Sequence, residues 1–227
     1  MLAFAPHPLD FEMGMGGTIA RLIQEGKEIV SVICTNGDKG SSDPSMKPQD
    51  LEKIREREEL AAAKILGVKE VIFLRHNDLG MEDTPEFRKE ILRLILEYRP
   101  EIVATCDPSQ GYLSNRDHRI VGRVVLDAVW PYALAPNTYP DLLKRGLQLH
   151  KVKKVWLWQT EAPNFRCDIG ATFDTQLAAL SCHKSQIGDP SEAEFIQYLM
   201  ELSKKAAEGQ NYERGEAFHQ LDVLQRL

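Results

Sequence analysis

Short apolar runs of strand length alternate along this chain with longer segments of helical periodicity, and this alternation limits the folds open to it. The runs at 2–5, 28–34, 71–74 and 102–106 are largely apolar, and so is a later run at 155–158. Continuous hydrophobicity indicates strands that are buried on both faces, as in a parallel sheet. The pattern therefore predicts an α/β fold: a mostly parallel central sheet with helices on both faces, in three layers.

The segments between these runs have the length and periodicity of helices. They lie at 16–25, 49–66, 85–98 and 117–129. Gly26 and Gly67 follow the first two and are typical helix ends. The segment 131–154 contains three prolines and is interpreted as an insertion or lid. Because an α/β chain of 227 residues usually forms one core, one domain over 1–227 is expected.

Composition excludes several classes of protein. The net charge is −6, and no run of lysine and arginine suggests a nucleic-acid surface. No window approaches the roughly 18 apolar residues that a membrane helix needs. The N-terminus lacks the features of a signal peptide, and the four cysteines are scattered. A cytoplasmic protein without nucleic-acid or membrane partners is predicted, while the oligomeric state stays open, a homo-oligomer included.

Polar residues are concentrated in the loops that follow the predicted strands. In parallel sheets, ligands bind beyond the carboxyl ends of the strands, where such loops meet. The relevant loops here are 7–13, 35–48, 75–84 and 107–116. The sequence therefore predicts a functional site at this edge of the sheet.

His7, Asp10 and His118 are the first candidates for metal ligands. His7 and Asp10 follow the first strand, and His118 opens the helix after the fourth. Zinc is commonly held by imidazole and carboxylate, and a catalytic site keeps three such ligands plus a water. The first and fourth strands can be neighbours where the strand order reverses, which would bring the two loops together. On spacing alone, however, a turn or a helix cap explains the same residues.

Two other features have a simpler interpretation when taken singly. The glycines at 14–17 do not complete the dinucleotide fingerprint G-x-G-x-x-G, because the last position is Ile19. They are interpreted as close packing of the loop against the first helix. His183, near a helix end, is by itself more typical of a cap or a solvated residue than of a catalyst.

Taken together, however, three segments resemble one known family. HPLDFEMGMGGT at 7–18 is similar to the HPDDxExGxGGT signature of the LmbE-like, or GlcNAc-phosphatidylinositol de-N-acetylase-like (PIG-L), metal-dependent deacetylases. NRDHR at 115–119 resembles the family's HPDHR motif, and ALSCHKSQ at 179–186 resembles its A-L-x-x-H-x-S-Q motif. TNGDKGSS at 35–42 and Arg55-x-x-Glu58 also fit the family in position.

This resemblance implies a Rossmann-like fold and a zinc-dependent hydrolase that removes N-acetyl groups from small-molecule substrates containing N-acetylglucosamine. His7, Asp10 and His118 match the family's metal ligands. His183 matches a histidine that polarises or protonates the tetrahedral intermediate, and Arg55 matches an arginine associated with substrate binding. Zn²⁺ is the expected cofactor, although the same ligand types also accept iron or cobalt.

The sequence departs from the family pattern at Leu9 and Asn115. Leu9 stands where the family has the aspartate assigned as general base, and a leucine cannot accept a proton. General-base catalysis contributes about 10²–10⁴-fold to the rate, so its loss alone would leave a slow enzyme. Asn115 stands where HPDH has its first histidine and is still able to donate or accept a hydrogen bond, so it is a candidate for substrate binding. Asp38 and Asp117 are the candidate substitutes for the base.

Three interpretations of Leu9 remain open at this stage. The protein is an active hydrolase with a substitute base, or it uses the same metal for other chemistry, such as a lyase or hydratase reaction. In the third, it binds ligand without catalysis, or residue 9 is not the natural one. The retained metal ligands favour the first two over a fully decayed site.

Overall fold

The computed structural model describes residues 1–111, 114–188 and 194–223, and its strands form one seven-stranded sheet. In chain order the strands are β1 Leu2–Ala5, β2 Val30–Thr35, β3 Glu70–His76, β4 Ile102–Cys106, β5 Lys154–Trp158, β6 Phe165–Asp168 and β7 Gly215–Asp222. Their order across the sheet is β3-β2-β1-β4-β5-β7-β6. The first five strands pair in parallel, and β7 is antiparallel to both of its neighbours. The predicted α/β fold with a mostly parallel sheet is confirmed.

Helices cover both faces of this sheet. They are α1 Asp10–Gln24, α2 Pro48–Leu66, α3 Pro85–Tyr98, α4 Arg116–Val129, α5 Pro140–Lys144, α6 Phe173–Leu180, α7 Lys184–Ile187 and α8 Glu194–Ala207, with a 3₁₀ turn at Tyr132–Leu134. Ala3 and Ala5 of β1 pack into the core beneath α1, α2 and α6, whereas Leu2 and Phe4 pack into the core beneath α3 and α4. Alternate residues of one strand thus enter opposite cores, which is why the strands are apolar throughout. In the part of the chain described, no helix is long and apolar enough to cross a membrane.

The strand order reverses at β1, and this reversal fixes where a ligand can bind. From β1 the chain builds outward through β2 and β3 on one side, and through β4 and β5 on the other. The loops that leave β1 and β4 therefore start from adjacent strand ends and border one crevice. The predicted convergence of the first and fourth loops follows from this order.

The first helix begins earlier than the periodicity predicts. Helix α1 starts at Asp10 rather than near Gly16, and it contains a kink at Met15, whose φ is −159° and ψ is 18°. Residues 10–13, before the kink, are buried although they include Asp10 and Glu12. The prediction depended on apolar residues repeating at helical spacing. Asp10 and Glu12 interrupt that pattern because they are charged and yet buried.

Strand β7 and its contact with α1 were not predicted from the sequence. The strand carries the buried Glu216, whose two carboxyl oxygens accept the backbone N–H groups of Gly17 and Thr18 at 3.0 and 2.7 Å. Gln176 donates a further hydrogen bond at 2.8 Å. Burial raises the pKa of Glu216 to about 7, although these hydrogen bonds oppose the shift. Glu216 therefore ties the second half of α1, after the kink, to the antiparallel edge of the sheet.

The glycines of α1 allow close packing, and Gly14 gives a test of this. A Cβ at Gly14 would lie 2.3 Å from Cδ1 of Trp158, a fully buried ring. We expect Gly14→Ala to lower the free energy of unfolding by about 1–3 kcal/mol, because a rigid core cannot make room for the methyl group. Urea unfolding followed by circular dichroism measures this change.

The matched control is Gly170→Ala, where the nearest atom to the new Cβ is a carboxyl oxygen of Asp168 at 3.3 Å. This variant should unfold at nearly the wild-type urea concentration. Equal stability of the two variants would show that the contact between Gly14 and Trp158 does not limit packing.

Candidate functional site

His7, Asp10 and His118 come together at the carboxyl ends of β1 and β4. Nδ1 of His7 lies 3.2 Å from Oδ2 of Asp10, and Nε2 of His118 lies 3.3 Å from the same oxygen. The three potential ligand atoms all lie within 4.8 Å of one another. The fold therefore places these three side chains, far apart in sequence, in one cluster.

The loop between β1 and α1 holds two of these side chains through its backbone. The N–H of His7 donates to Oδ2 of Asp10 at 2.8 Å, which closes the turn. Leu9, between them, has a φ of +86°, in the left-handed region that leucine rarely adopts. Its N–H donates to Oε2 of Glu59 at 3.2 Å. These two hydrogen bonds support a backbone conformation that is unfavourable for this residue type.

Carboxylates surround the two imidazoles. Nε2 of His7 lies 3.1 Å from Oδ1 of Asp78 and 3.4 Å from Oδ2 of Asp117. Burial opposes protonation of His7, but hydrogen bonds to Asp10, Asp117 and Asp78 outweigh it and raise its pKa to about 11. Burial likewise opposes protonation of His118, and Asp10 reverses the effect and raises its pKa to about 10. The carboxylates around the two imidazoles thus strongly stabilise positive charge at this position.

The pKa of Asp10 shows the same electrostatic preference from the carboxylate side. Burial acts to raise this pKa, but the neighbouring His118 and His7 hold it well below its usual range. Asp10 is therefore ionised and available as a ligand throughout the physiological pH range.

Two sets of residues have the geometry to hold a metal ion, and both include His7. One is His7, Asp10 and His118, and the other is His7, Asp78 and Asp117. Asp117 is fully buried, and its two oxygens accept the backbone N–H groups of Leu79 and Met81 at 2.7 and 3.3 Å. Asp117, a member of the second set, therefore holds the loop after β3 through both of its oxygens.

The first set fits a catalytic metal better. It offers two imidazoles and one carboxylate, a donor set typical of zinc. Asp78 and Asp117 contact Nε2 of His7, which leaves Nδ1 to face the cluster, and contacts of this kind orient histidine ligands.

A cavity of about 260 Å³ opens directly onto this first set, close to the lower size limit of small-molecule sites. Its walls come from the loops after β1, β2, β3 and β4 and from the helices α2, α4, α7 and α8. The lining residues are His7, Pro8, Leu9, Asp10, Lys39, Gly40, Arg55, Asp78, Leu79, Asn115, His118, Gln186 and Phe195. The predicted site therefore lies at the predicted edge of the sheet.

The other residues singled out in the sequence occupy different positions around this cavity. Asn115 lines it and caps α4, with its Oδ1 accepting the N–H of Asp117 at 2.8 Å. Asp38 lies in the turn after β2, half-buried and outside the described lining, and the fully buried Asp117 is also outside it. The structure thus brings Asn115 to the cavity but not the two aspartates considered as substitutes for the base.

Arg55 lines the cavity, but its guanidinium donates hydrogen bonds to backbone carbonyls of two loops. Nη1 donates to the carbonyl of Gly37 at 2.7 Å and Nη2 to the carbonyl of Pro8 at 2.9 Å. Gly37 has a φ of +61°, and a Cβ there would lie 1.9 Å from Nη1. Arg55 therefore joins the loops after β1 and β2, and this contact depends on a glycine at 37.

His183 lies in a second cluster. It is fully buried at the N-terminus of α7, and its Nε2 lies 3.3 Å from Oε2 of Glu12 and 3.9 Å from Oε2 of Glu59. Burial raises the pKa of Glu59 well above its usual range, and the charge of Glu12 adds to the shift. His183 is not among the residues that line the cavity, so its role toward a tetrahedral intermediate stays a prediction.

Sequence reasoning missed Asp78 and Glu59. Asp78 follows β3, in the loop 75–84 that the sequence marks as polar, and this position was the available signal. Glu59 belongs to the charged segment IREREEL, where an acidic residue is ordinarily solvent-exposed, yet it is 1% exposed. Nothing in the sequence distinguishes it from its exposed neighbours.

Comparison with known proteins shows the family to which the chain belongs. The profile of the GlcNAc-PI de-N-acetylase family (PIG-L) matches residues 2–129. Diacetylchitobiose deacetylase from Thermococcus kodakarensis is 36% identical over 82% of this chain and 69% of its own. A probable N-acetyl-alpha-D-glucosaminyl L-malate deacetylase 2 from Bacillus anthracis is 31% identical over 82% of this chain and 80% of its own.

A solved structure of high similarity is the N,N'-diacetylchitobiose deacetylase from Pyrococcus horikoshii in complex with its inhibitor MPG. Its TM-score is 0.93 and its identity 31%, over 97% of this chain and 83% of that one. These relatives are N-deacetylases that act on amino-sugar compounds. The chain belongs to the GlcNAc-PI de-N-acetylase (PIG-L, LmbE-like) family.

Proposed function

We propose that this protein is a Zn²⁺-dependent hydrolase that removes the N-acetyl group from a small substrate containing N-acetylglucosamine. The observation that carries the proposal is the convergence of His7, Asp10 and His118 on a cavity at the reversal point of the sheet. The relatives with deacetylase names support the substrate class. We also propose that residues 1–227 form one domain, since β7 completes the sheet that begins with β1.

The metal would be held by Nδ1 of His7, the carboxylate of Asp10 and Nε2 of His118. A divalent cation held by these residues would supply Lewis-acid chemistry: it would polarise the amide carbonyl and lower the pKa of a water. Asp78 and Asp117 orient the ring of His7 through its other nitrogen. Zinc is the metal that this donor set favours, and iron or cobalt would also fit.

Asn115 is the residue we propose to stabilise the reacting amide. Its Oδ1 is engaged with the N–H of Asp117, so its amide N–H₂ is the part left to donate into the cavity. A donor placed where negative charge develops on the carbonyl oxygen stabilises the transition state. Asn115 would thus serve in place of the family's histidine at this position.

Asp78 is the carboxylate best placed to replace the base missing at Leu9. It lines the cavity, its Oδ1 lies 3.1 Å from Nε2 of His7, and its Oδ2 accepts the N–H of Lys39 at 3.0 Å. We propose that Oδ1 accepts a proton from the attacking water and returns it to the leaving amine. Asp38 and Asp117 are less suited, because neither lines the cavity.

Leu9 supports a second candidate function, ligand binding without turnover. A leucine on the cavity wall, where the family has its base, favours this alternative. Calorimetry with N,N'-diacetylchitobiose would then show saturable binding, while acetate assays would show no release at any zinc loading. Acetate release by the wild-type protein rules this alternative out.

Removal of one proposed ligand tests the metal site. His118→Ala should bind about one equivalent of zinc less than the wild type, because an imidazole supplies one of three protein ligands. Elemental analysis after dialysis against zinc measures this difference, and His150→Ala, whose ring contacts a backbone carbonyl far along the chain, serves as the control. Unchanged zinc content in His118→Ala would contradict the assignment.

Substitution of Asp78 tests the proposed base. Asp78→Asn should lower kcat by about 10²-fold or more while zinc content is retained, because the amide cannot accept the proton. The control is Asp83→Asn in the same loop, where Asp83 pairs with Arg88 at 2.5 Å. If Asp38→Asn gives the loss instead, the base is Asp38, and the assignment of Asp78 is wrong.

Restoring a carboxylate at position 9 tests the meaning of the leucine. Leu9→Asp should raise kcat for acetate release by about 10²-fold, whereas Leu9→Asn, which has the same shape but is not a base, should not. Both residues tolerate the left-handed backbone better than leucine does. Equal rates for the two variants, with zinc bound in both, would mean that Leu9 does not limit the reaction.

A further inference from the structure

We propose that Glu12, Glu59 and His183 form a second metal site, which binds a divalent ion such as Zn²⁺ apart from the cavity. The three side chains offer two carboxylates and one imidazole, and their potential ligand atoms lie within 4.8 Å of one another. This inference does not depend on the proposed deacetylation, since none of the three residues lines the cavity.

The distances in this cluster fit a tetrahedral ion. Ligand atoms about 2.0–2.1 Å from zinc, at tetrahedral angles, lie about 3.4 Å from each other. Nε2 of His183 and Oε2 of Glu12 are separated by 3.3 Å, close to that value. Oε2 of Glu59 is 3.9 Å from the same nitrogen, about half an ångström longer than the tetrahedral value.

Unpaired polar atoms point to a ligand here. Oε2 of Glu12 and both ring nitrogens of His183 have no hydrogen-bond partner among the described residues. Glu12 and Glu59 are each 1% exposed, and His183 is fully buried. Buried polar groups are normally paired, and two adjacent buried carboxylates are especially unfavourable.

A divalent ion removes this imbalance. Its two positive charges neutralise the two carboxylates while the imidazole stays neutral, so the cluster as a whole carries no net charge. An imidazole with two carboxylates is a donor set that zinc, manganese and iron accept.

The position of the cluster indicates a structural role for the ion. Glu12 lies in α1, Glu59 in α2, and His183 at the N-terminus of α7. An ion bound to all three would join these helices on one face of the sheet. Because the unfolded chain does not preform such a site, metal binding there adds directly to stability.

The experiment counts zinc in the chelator-treated full chain after it is reloaded with ZnCl₂. We expect two equivalents in the wild type, one in His118→Ala, one in Glu59→Gln and none in the double variant. The control is Glu58→Gln in the same helix, since Glu58 binds Ser185 at 2.6 and 2.8 Å and lies outside the cluster. It should retain two equivalents.

Thermal unfolding and anomalous diffraction provide readouts that do not involve activity. Zinc should raise the Tm of His118→Ala by roughly 5–10 °C at a hundredfold excess over Kd, and this shift should be lost when Glu59→Gln is added. Crystals of the zinc-loaded wild type should show an anomalous peak between Glu12 and His183.

The wild type alone is able to overturn the proposal, even if a variant fails to fold. One equivalent of zinc, with a single anomalous peak beside Asp10, would rule out the second site and leave the first intact. If the wild type instead bound one equivalent of zinc and its single anomalous peak lay beside His183, the first site would hold no metal. That result would contradict the proposed function and support the second site.

Discussion

The carboxylate of Asp10 is the group on which the site depends. One of its oxygens accepts the backbone N–H of His7 at 2.8 Å and faces one ring nitrogen of each of His7 and His118. It therefore fixes the turn after β1 and links it to α4 at the same time. This is feasible only because β1 and β4 are adjacent at the point where the strand order reverses. The fold and the candidate metal ligands thus share one constraint.

The architecture near the site was predictable because burial on both faces leaves a strong signal. The strands β1 to β5 and the helices α1 to α4 were all expected from continuous apolar runs and helical periodicity, apart from shifts at their ends. Strand β7, which lies between β5 and β6, was not expected, since its sequence GEAFHQLD mixes buried and half-exposed positions and includes the buried Glu216. A charged residue inside a core is stabilised by tertiary contacts, here with Gly17 and Thr18, which local sequence does not encode.

The site was predictable to a similar degree. The topology and the family resemblance together identified His7, Asp10 and His118, and the structure places them in one cluster. The loop after β3 was expected at the site, but the orientation of Asp78 toward His7 depends on contacts made by the folded loop. Glu59 gave no signal at all, because its burial follows from how α2 packs beside the turn at Leu9.

Leu9 and Glu59 are best understood as a pair. Oε2 of Glu59 lies 3.2 Å from the backbone nitrogen of Leu9, and Asp10 follows directly in the chain. A carboxylate at position 9 would add negative charge next to Glu59 and Asp10, where burial weakens screening by water. Leucine avoids that repulsion and extends the apolar core to the cavity wall. Leu9 therefore has two effects. It leaves the cavity without a carboxylate at position 9, and it keeps an additional negative charge away from the buried cluster of Glu12, Glu59 and His183.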